Sequence, residues 1–176
     1  MKKIKYLILI LLCCLAIIFV FESYKTYLMK NTSFSSESIY LKIPSNTTKS
    51  QLLDSLSNYL IDLETFEKAA IKKEYLLNIK AGRFLIKKDF NNNEIINSLR
   101  SNNIPLQVTF NNIETLNKLA GTISKKIEAD SAEIVMLFNE NKFLNDLNLN
   151  EDSVFSLFIP NTYEFFWNTD AIAFRE

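Results

Sequence analysis

Histidine is absent from the 176-residue chain. That removes Ser-His-Asp and Cys-His nucleophilic arrangements and every zinc site with an imidazole ligand. Glycine occurs only at Gly82 and Gly121, about 1% against an ordinary usage of about 7%. Neither glycine lies in a G-x-G-x-x-G or P-loop pattern, so phosphate-cradling nucleotide loops are excluded as well. The two cysteines, Cys13 and Cys14, are adjacent inside an apolar run, which leaves no disulfide framework and no cysteine metal cluster. No excess of one charge exists either: Lys+Arg and Asp+Glu number 20 each, so there is no basic field to draw the chain to nucleic acid. With no compact set of ligands, neither a metal nor any other cofactor is expected. Hydrophobic residues make up 48% and charged ones 23%, which is the composition of a folded chain rather than a disordered one.

The apolar run that holds the cysteines extends from Tyr6 to Phe21, after Lys2, Lys3 and Lys5 and before Glu22. As a helix it covers about 24 Å of a hydrocarbon core of about 30 Å, and snorkelling Lys5 and Lys25 with interfacial Tyr6 and Tyr24 extend that reach. Phe21-Glu22-Ser23-Tyr24-Lys25 offers no small-x-small cleavage site, so the run reads as an uncleaved anchor rather than a signal peptide. The leading lysines keep that end cytoplasmic and put the remainder on the outer side of a cytoplasmic (inner) membrane. Residues 1–25 are thus expected to be a transmembrane helix, and the polar, Ser-rich residues 26–37 a stalk.

Beyond the stalk the periodicity alternates between helix and strand. Ser38–Ile43 alternates as a strand, and Thr48 with Gln51 forms a capping box before Leu52, Leu53, Leu56 and Leu60. Asp62 caps a second helix running through Phe66, Ala69, Ala70 and Tyr75 to about Ile79, and Arg83–Ile86 is again extended. Strand, helix, helix, strand is the order of a LysM-like glycan-binding unit, assigned to residues 38–90. A helix from Asn92 to Arg100 and a strand from Ile104 to Phe110 follow. Asn112 is expected to cap a helix carrying Leu116, Leu119, Ala120, Ile123 and Ile127 on one face. Helical spacing resumes at Ile134, Leu137 and Phe138, and an Asn-rich connection leads onward. The expected class is α+β: an N-terminal transmembrane helix, a LysM-like βααβ subdomain and, over 91–176, the start of an α+β domain.

The stretch Ser156–Thr169 differs, since aromatic residues surround a Pro160-Asn161-Thr162 turn. Thr169 or Asp170 then caps a last helix that begins at Ala171. Glu164 is the only acidic residue among these aromatics. It reads either as a sugar-contacting carboxylate or as the solvent side of an edge strand whose aromatics form core. In extended backbone Tyr163, Phe165 and Trp167 would share a face away from Glu164. The basic pairs Lys72-Lys73 and Lys87-Lys88 read as solvated surface or as contacts for acidic substituents.

Phe158-Ile-Pro-Asn-Thr-Tyr-Glu-Phe-Phe-Trp-Asn-Thr169 resembles the aromatic-Pro-Asn-Thr-Tyr element of the endolytic murein transglycosylase family (MltG, or YceG-like) in its Bacteroidetes form. Ala81-Gly82-Arg83-Phe84, Asn93–Arg100 with Pro105 and Thr109-Phe110, and Leu119–Ser124 are similar to its preceding strands and helices. The chain departs from the family at Asn102-Asn103, where Gly-Gln or Gly-Lys is usual.

The resemblance implies cleavage of the bond between N-acetylmuramic acid and N-acetylglucosamine without water. One glutamic acid would protonate the leaving oxygen and then accept the proton of the C6 hydroxyl that closes a 1,6-anhydro ring. It implies peptidoglycan strands as substrate, the inner membrane as location, and cell-wall synthesis proteins among the potential partners. Asn161, Thr162, Tyr163, Glu164 and Trp167 become substrate-contact candidates. The family's acid–base glutamate lies downstream of this element, so none is expected before Glu176, and residues 91–176 are expected to be a truncated domain inactive alone. The alternative is a non-catalytic, membrane-anchored peptidoglycan-binding scaffold.

Overall fold

In the computed structural model, which describes residues 2–101, 103–111 and 114–176, the apolar run stays helical beyond its last hydrophobic residue. Helix α1 covers Lys2–Tyr27 and is long and apolar enough to cross a membrane, with none of its apolar stretch buried against the protein. The described residues divide into two compact units. The first holds residues 1–40, 47–80 and 85–101, and the second holds 41–46, 81–84 and 102–176.

In the first unit, capping chemistry sets the helix starts. Strand β1 (Ser38–Ile43) precedes α2 (Lys49–Ser57), which opens on the reciprocal Thr48/Gln51 capping box. Helix α3 (Leu63–Lys72) opens on Asp62, whose carboxylate accepts from the Thr65 amide at 3.0 Å. Strand β2 (Gly82–Lys87) neighbours β1 in a two-stranded sheet, and residues 41–43 of β1 and 82–84 of β2 belong to the second unit. Helix α4 (Asn92–Arg100) has a second capping box, Asn91 with Glu94. Leu52, Leu56, Phe66, Ala69, Ala70, Ile95, Ile96 and Leu99 are all fully buried, while Leu53 is half-buried. The order is therefore β1-α2-α3-β2, and the buried faces are the ones the i, i+4 spacing indicates.

Two expectations for this unit need correction. The helix from Asp62 does not run to Ile79. It ends at Lys72, Glu74 takes a left-handed conformation at φ 56°, and Tyr75–Leu77 forms a separate 3₁₀ turn. That break turns the Tyr75 ring inward, where it is 1% exposed with the Arg100 guanidinium 5.9 Å from its centroid.

Residues 26–37 are also not a free stalk. Asn31 and Thr32 are buried, and the Asn31 amide donates to Asp62 O (2.8 Å) and Asn92 Oδ1 (2.6 Å) while accepting from Asp62 N (2.7 Å). Asn92 Nδ2 in turn donates to Thr26 O at the end of α1, and backbone bonds Asn31 N to Phe90 O and Ser33 N to Tyr59 O complete the docking. A polar sequence can pack this way because each buried amide group finds a partner.

The second unit is built on β3 (Leu106–Thr109) and β4 (Thr162–Phe165), which pair antiparallel with Val108 opposite Tyr163 and Gln107 opposite Glu164. Helices α5 (Leu116–Ile123), α6 (Ser131–Phe138), α7 (Asn141–Asp146) and α8 (Ala171–Arg175) accompany them, with α6 in contact with α5, α7 and α8. Leu119, Ala120, Ile123, Ile134 and Val154 form a fully buried centre. Phe138 packs edge-on to Phe143 at 5.5 Å and tilted on Phe158 at 5.0 Å. The expected cap Asn112 lies outside the described residues, and Thr115 caps α5. Strand β3 begins two residues later than the alternation suggests, and α7 occupies the Asn-rich stretch read as a connection. Asp170, one of the two candidates, caps α8 by accepting from Ala173 N.

With so little glycine, left-handed backbone falls to side-chain-bearing residues: Asn46, Glu74, Asp89 and Asn148 all have φ between 54° and 64°. Gly82 is different. At φ 144° an added Cβ would meet the Asn103 side chain at 2.5 Å, so this position requires glycine.

Candidate functional site

The aromatic-Pro-Asn-Thr-Tyr element lies on the β3–β4 ladder of the second unit. Pro160 and Asn161 precede β4, and Asn161 extends the pairing by accepting from Phe110 N at 2.9 Å, while its side chain accepts from Thr162 N at 2.7 Å. Burial alternates from there. Thr162 and Glu164 are exposed, whereas Tyr163 and Phe165 pack against the core. The Tyr163 ring stacks on Phe110 at 5.0 Å and its hydroxyl donates to Ile159 O at 3.0 Å. One face of the ladder is thus apolar and inward. The other carries Gln107, Thr109, Thr162 and Glu164, with a 2.9 Å hydroxyl–hydroxyl bond between the two threonines.

Trp167 does not continue the Tyr163–Phe165 face, which corrects that expectation. Strand β4 ends at Phe165, and Trp167 sits half-buried in the following turn with the Lys42 ammonium 5.5 Å from its ring centroid. Glu128 fixes this corner. Its amide donates to Trp167 O (2.7 Å), and its carboxylate accepts from Ser45 N (2.8 Å) and Ser45 Oγ (2.7 Å). Asn103 fixes the opposite side, accepting from Arg83 N (2.8 Å) and donating to Asn168 Oδ1 (2.6 Å).

Beside the polar face opens a recess of about 500 Å³ lined by Lys42, Arg83, Pro105, Leu106, Gln107, Lys125 and Lys126. Four cations and no carboxylate line it, so its local field favours anions although the whole chain is neutral. Arg83 is steadied by donation from Nη1 to Pro105 O at 2.8 Å. Sequence reading missed this recess, because Lys42 lies on β1, Arg83 on β2 and Lys125-Lys126 after α5. Only the Lys125-Lys126 doublet was a visible signal. The doublets that did attract notice are elsewhere: Lys72, Lys87 and Lys88 are exposed, and Lys73 bonds Asn93 Oδ1.

The arrangement offers a flat hydroxyl-, amide- and carboxylate-bearing face, one half-buried indole and a cationic recess, a set suited to holding a polar anionic chain. Glu164 is exposed beside Gln107 and has no apolar enclosure of the sort that readies a carboxyl group as a proton donor. Among the described residues no group of three or more Cys, Asp or Glu is placed to hold a metal.

A search of curated proteins returned no match. Among solved structures, the crystal structure of the YceG-like protein lmo1499 from Listeria monocytogenes aligns at 17% identity with a TM-score of 0.36, covering 74% of this chain. The chain spans about half of that protein, 49%. The model of the YceG-like family matches residues 41–176, well over half of the sequence, and the chain belongs to the YceG-like family.

Proposed function

We propose that the chain belongs to a membrane-anchored endolytic murein transglycosylase, which cleaves the N-acetylmuramic acid–N-acetylglucosamine bond of nascent peptidoglycan to leave 1,6-anhydro ends and so terminates strand elongation. The observation that carries this reading is the family match over residues 41–176, with the Pro160–Tyr163 element built into an exposed ladder. Helix α1 supports a single-pass anchor, and Lys3 and Lys5 favour a cytoplasmic N-terminus with the two units outside. The β1-α2-α3-β2 arrangement supports a LysM-like glycan-binding role for residues 38–90.

Within the site, the polar ladder face takes the glycan backbone, with Asn161, Thr162 and Glu164 hydrogen-bonding sugar hydroxyls and Trp167 offering a stacking edge. Tyr163 acts from beneath, since its ring packs on Phe110 and holds the turn. The recess of Lys42, Lys125 and Lys126 meets the carboxylates of muramic lactyl and stem-peptide groups. These residues bind and orient. None of them is assigned the acid–base role.

The test is digestion of purified soluble peptidoglycan by the full gene product, with products resolved by mass. Anhydromuropeptides are the expected result, and reducing-end products would overturn the transglycosylase assignment. Binding without any product would favour a non-catalytic scaffold. Lys42→Ala with Lys126→Ala should weaken retention on intact sacculi several-fold, and unchanged retention would remove the recess from the binding surface.

A further inference from the structure

Lys42 belongs to two places in the second unit at once. Its ammonium is one of the four cations that line the recess, and it also lies 5.5 Å from the centroid of the Trp167 ring, over one face of the indole. Among the described residues no carboxylate pairs with it. The ring is therefore what holds the charge, through the weak attraction of an exposed ammonium for an aromatic face.

The surroundings of this contact are braced. Leu41 and Ile43, on either side of Lys42, are buried and hold the strand in place. The Trp167 carbonyl accepts from Glu128 N (2.7 Å), and the Thr169 carbonyl accepts from Ala129 N (3.2 Å). Both carboxylate oxygens of Glu128 reach Ser45, three residues past Lys42. Lys125 and Lys126 precede Glu128 in the same turn, which is closed by Lys126 N to Ile123 O (2.7 Å) and Ile127 N to Ile123 O (3.0 Å) and anchored by the buried Ile127. The recess lysines and the indole thus share one corner of fixed backbone. What is free to move in it is the exposed side chain of Lys42, a flexible four-carbon stem.

We propose that Lys42 is the specificity-determining residue by which this site distinguishes an acidic glycan from a neutral one. A hydrogen bond from an ammonium to a carboxylate is stronger than a solvent-exposed cation–π contact. A carboxylate seated beside Lys125 and Lys126 therefore draws the Lys42 ammonium into the recess and uncovers the indole face for a sugar ring. A ring arriving first pushes Lys42 toward the recess and prepares it for the carboxylate. The two events favour each other by the same factor, whichever comes first. A neutral glycan gains nothing from the exchange, since it must displace Lys42 from Trp167 and leave the recess without a counter-charge. The proposal rests on the reading of the recess as a seat for peptidoglycan carboxylates and of Trp167 as a stacking edge, and the test separates it from that reading.

Trp167 is the only tryptophan of the chain, so its emission in the full 176-residue chain in detergent micelles reports the Lys42 contact. The probes are succinate, peptide-free murein strands, and chitin oligomers of the same length. The two glycans share a backbone of β-linked N-acetylhexosamines and differ in the lactyl carboxylate on alternate sugars. Succinate should shift the emission of the wild type and leave Lys42→Ala unmoved, because the indole of that variant is already uncovered. Murein strands should bind the wild type at least about fivefold more tightly than chitin oligomers, the low end of ordinary coupling between two sites. Lys42→Ala should bind chitin oligomers more tightly than the wild type does, a gain that mere loss of positive charge would not produce. Lys126→Ala removes the same charge elsewhere in the recess and should weaken murein binding with no gain for chitin. No chitin gain in Lys42→Ala, or no response of the wild type to succinate, would overturn the proposal; murein binding still weakened by Lys126→Ala would then leave the recess reading standing. Murein and chitin bound alike by the wild type and by Lys126→Ala would remove the recess from the glycan site, and this inference with it.

Discussion

Replacing Asn92 by alanine should loosen the protein at the end of helix α1 before it disturbs anything else. Asn92 is 0% exposed and links three segments far apart in sequence: it accepts from Asn31 Nδ2 (2.6 Å) and donates to Thr26 O (2.8 Å) and Thr65 Oγ1 (3.2 Å). Each such bond contributes roughly 0.5–1.5 kcal/mol net, and the buried groups left unpaired add to the loss, so the expected cost is about 2–4 kcal/mol. At about 1.4 kcal/mol per tenfold, this corresponds to an increase of roughly 30- to 700-fold in local opening. Hydrogen exchange reads it at the amides of Asn31, Ser33 and Ile61, whose acceptors are Phe90 O, Tyr59 O and Asn31 O. Asn31→Ala should behave similarly, and the double variant should cost less than the sum, because the Asn31–Asn92 bond is lost only once. Unchanged protection at all three amides in Asn92→Ala, or strict additivity in the cycle, would show that residues 28–33 are held by something other than this network.

Gly82→Ala should cost about 1–3 kcal/mol from its positive φ, with the clash against Asn103 added, and Asn103→Ala should relieve only the second part; urea midpoints of the four variants give the comparison. Tyr75→Phe should leave stability unchanged or raise it by about 1 kcal/mol, since the Tyr75 hydroxyl is buried without a hydrogen-bond partner, and a lower urea midpoint would contradict this. Burial also raises the Tyr75 pKa well above the usual phenol value, so ultraviolet titration should show no tyrosinate from this residue until the fold opens. The Asp62 carboxyl is held below its ordinary value, first by the Thr65 amide and then by Lys25. The sign follows: its contribution is complete above the unfolded value of about 3.9 and is lost as pH falls through the lower folded value. Asp62→Ala should therefore cost about 1 kcal/mol at neutral pH, and the gap to wild type should close below about pH 4.

Helix starts were legible at several side-chain caps but not at α5, where Thr115 takes the place expected of Asn112. Thr48 with Gln51, Asp62 and Asp170 each mark a helix start in the sequence and accept the expected amide in the structure. The buried faces of α2, α4 and α5 were legible for a related reason, as a single apolar stripe repeats over two turns. What stayed hidden depends on partners distant in sequence. Nothing near Asn31 announces Asp62 and Asn92, and nothing near Lys42 announces Trp167. The Tyr75–Leu77 turn was missed because its residues fit helical spacing, and only the burial of Tyr75 against Arg100 selects the break. At the candidate site the Pro160–Tyr163 element was readable from its turn residues and its resemblance to the family, and the inward Tyr163 and Phe165, though not Trp167, from alternation. The cationic recess was not, since its lysines come from unconnected segments.

The four left-handed residues have a consequence for how much stability the chain could still gain. For a residue with a Cβ this conformation costs about 1–2 kcal/mol, and asparagine or aspartate lowers that figure by bonding locally, so Asn46, Asp89 and Asn148 leave little to recover. Glu74 has no such compensation at φ 56°. Glycine there would lose roughly 0.5–1 kcal/mol through the greater freedom of the unfolded chain and recover the larger steric term. Codon 74 is therefore where laboratory selection for heat resistance should first introduce a glycine, and codon 46 is where the same change should confer nothing.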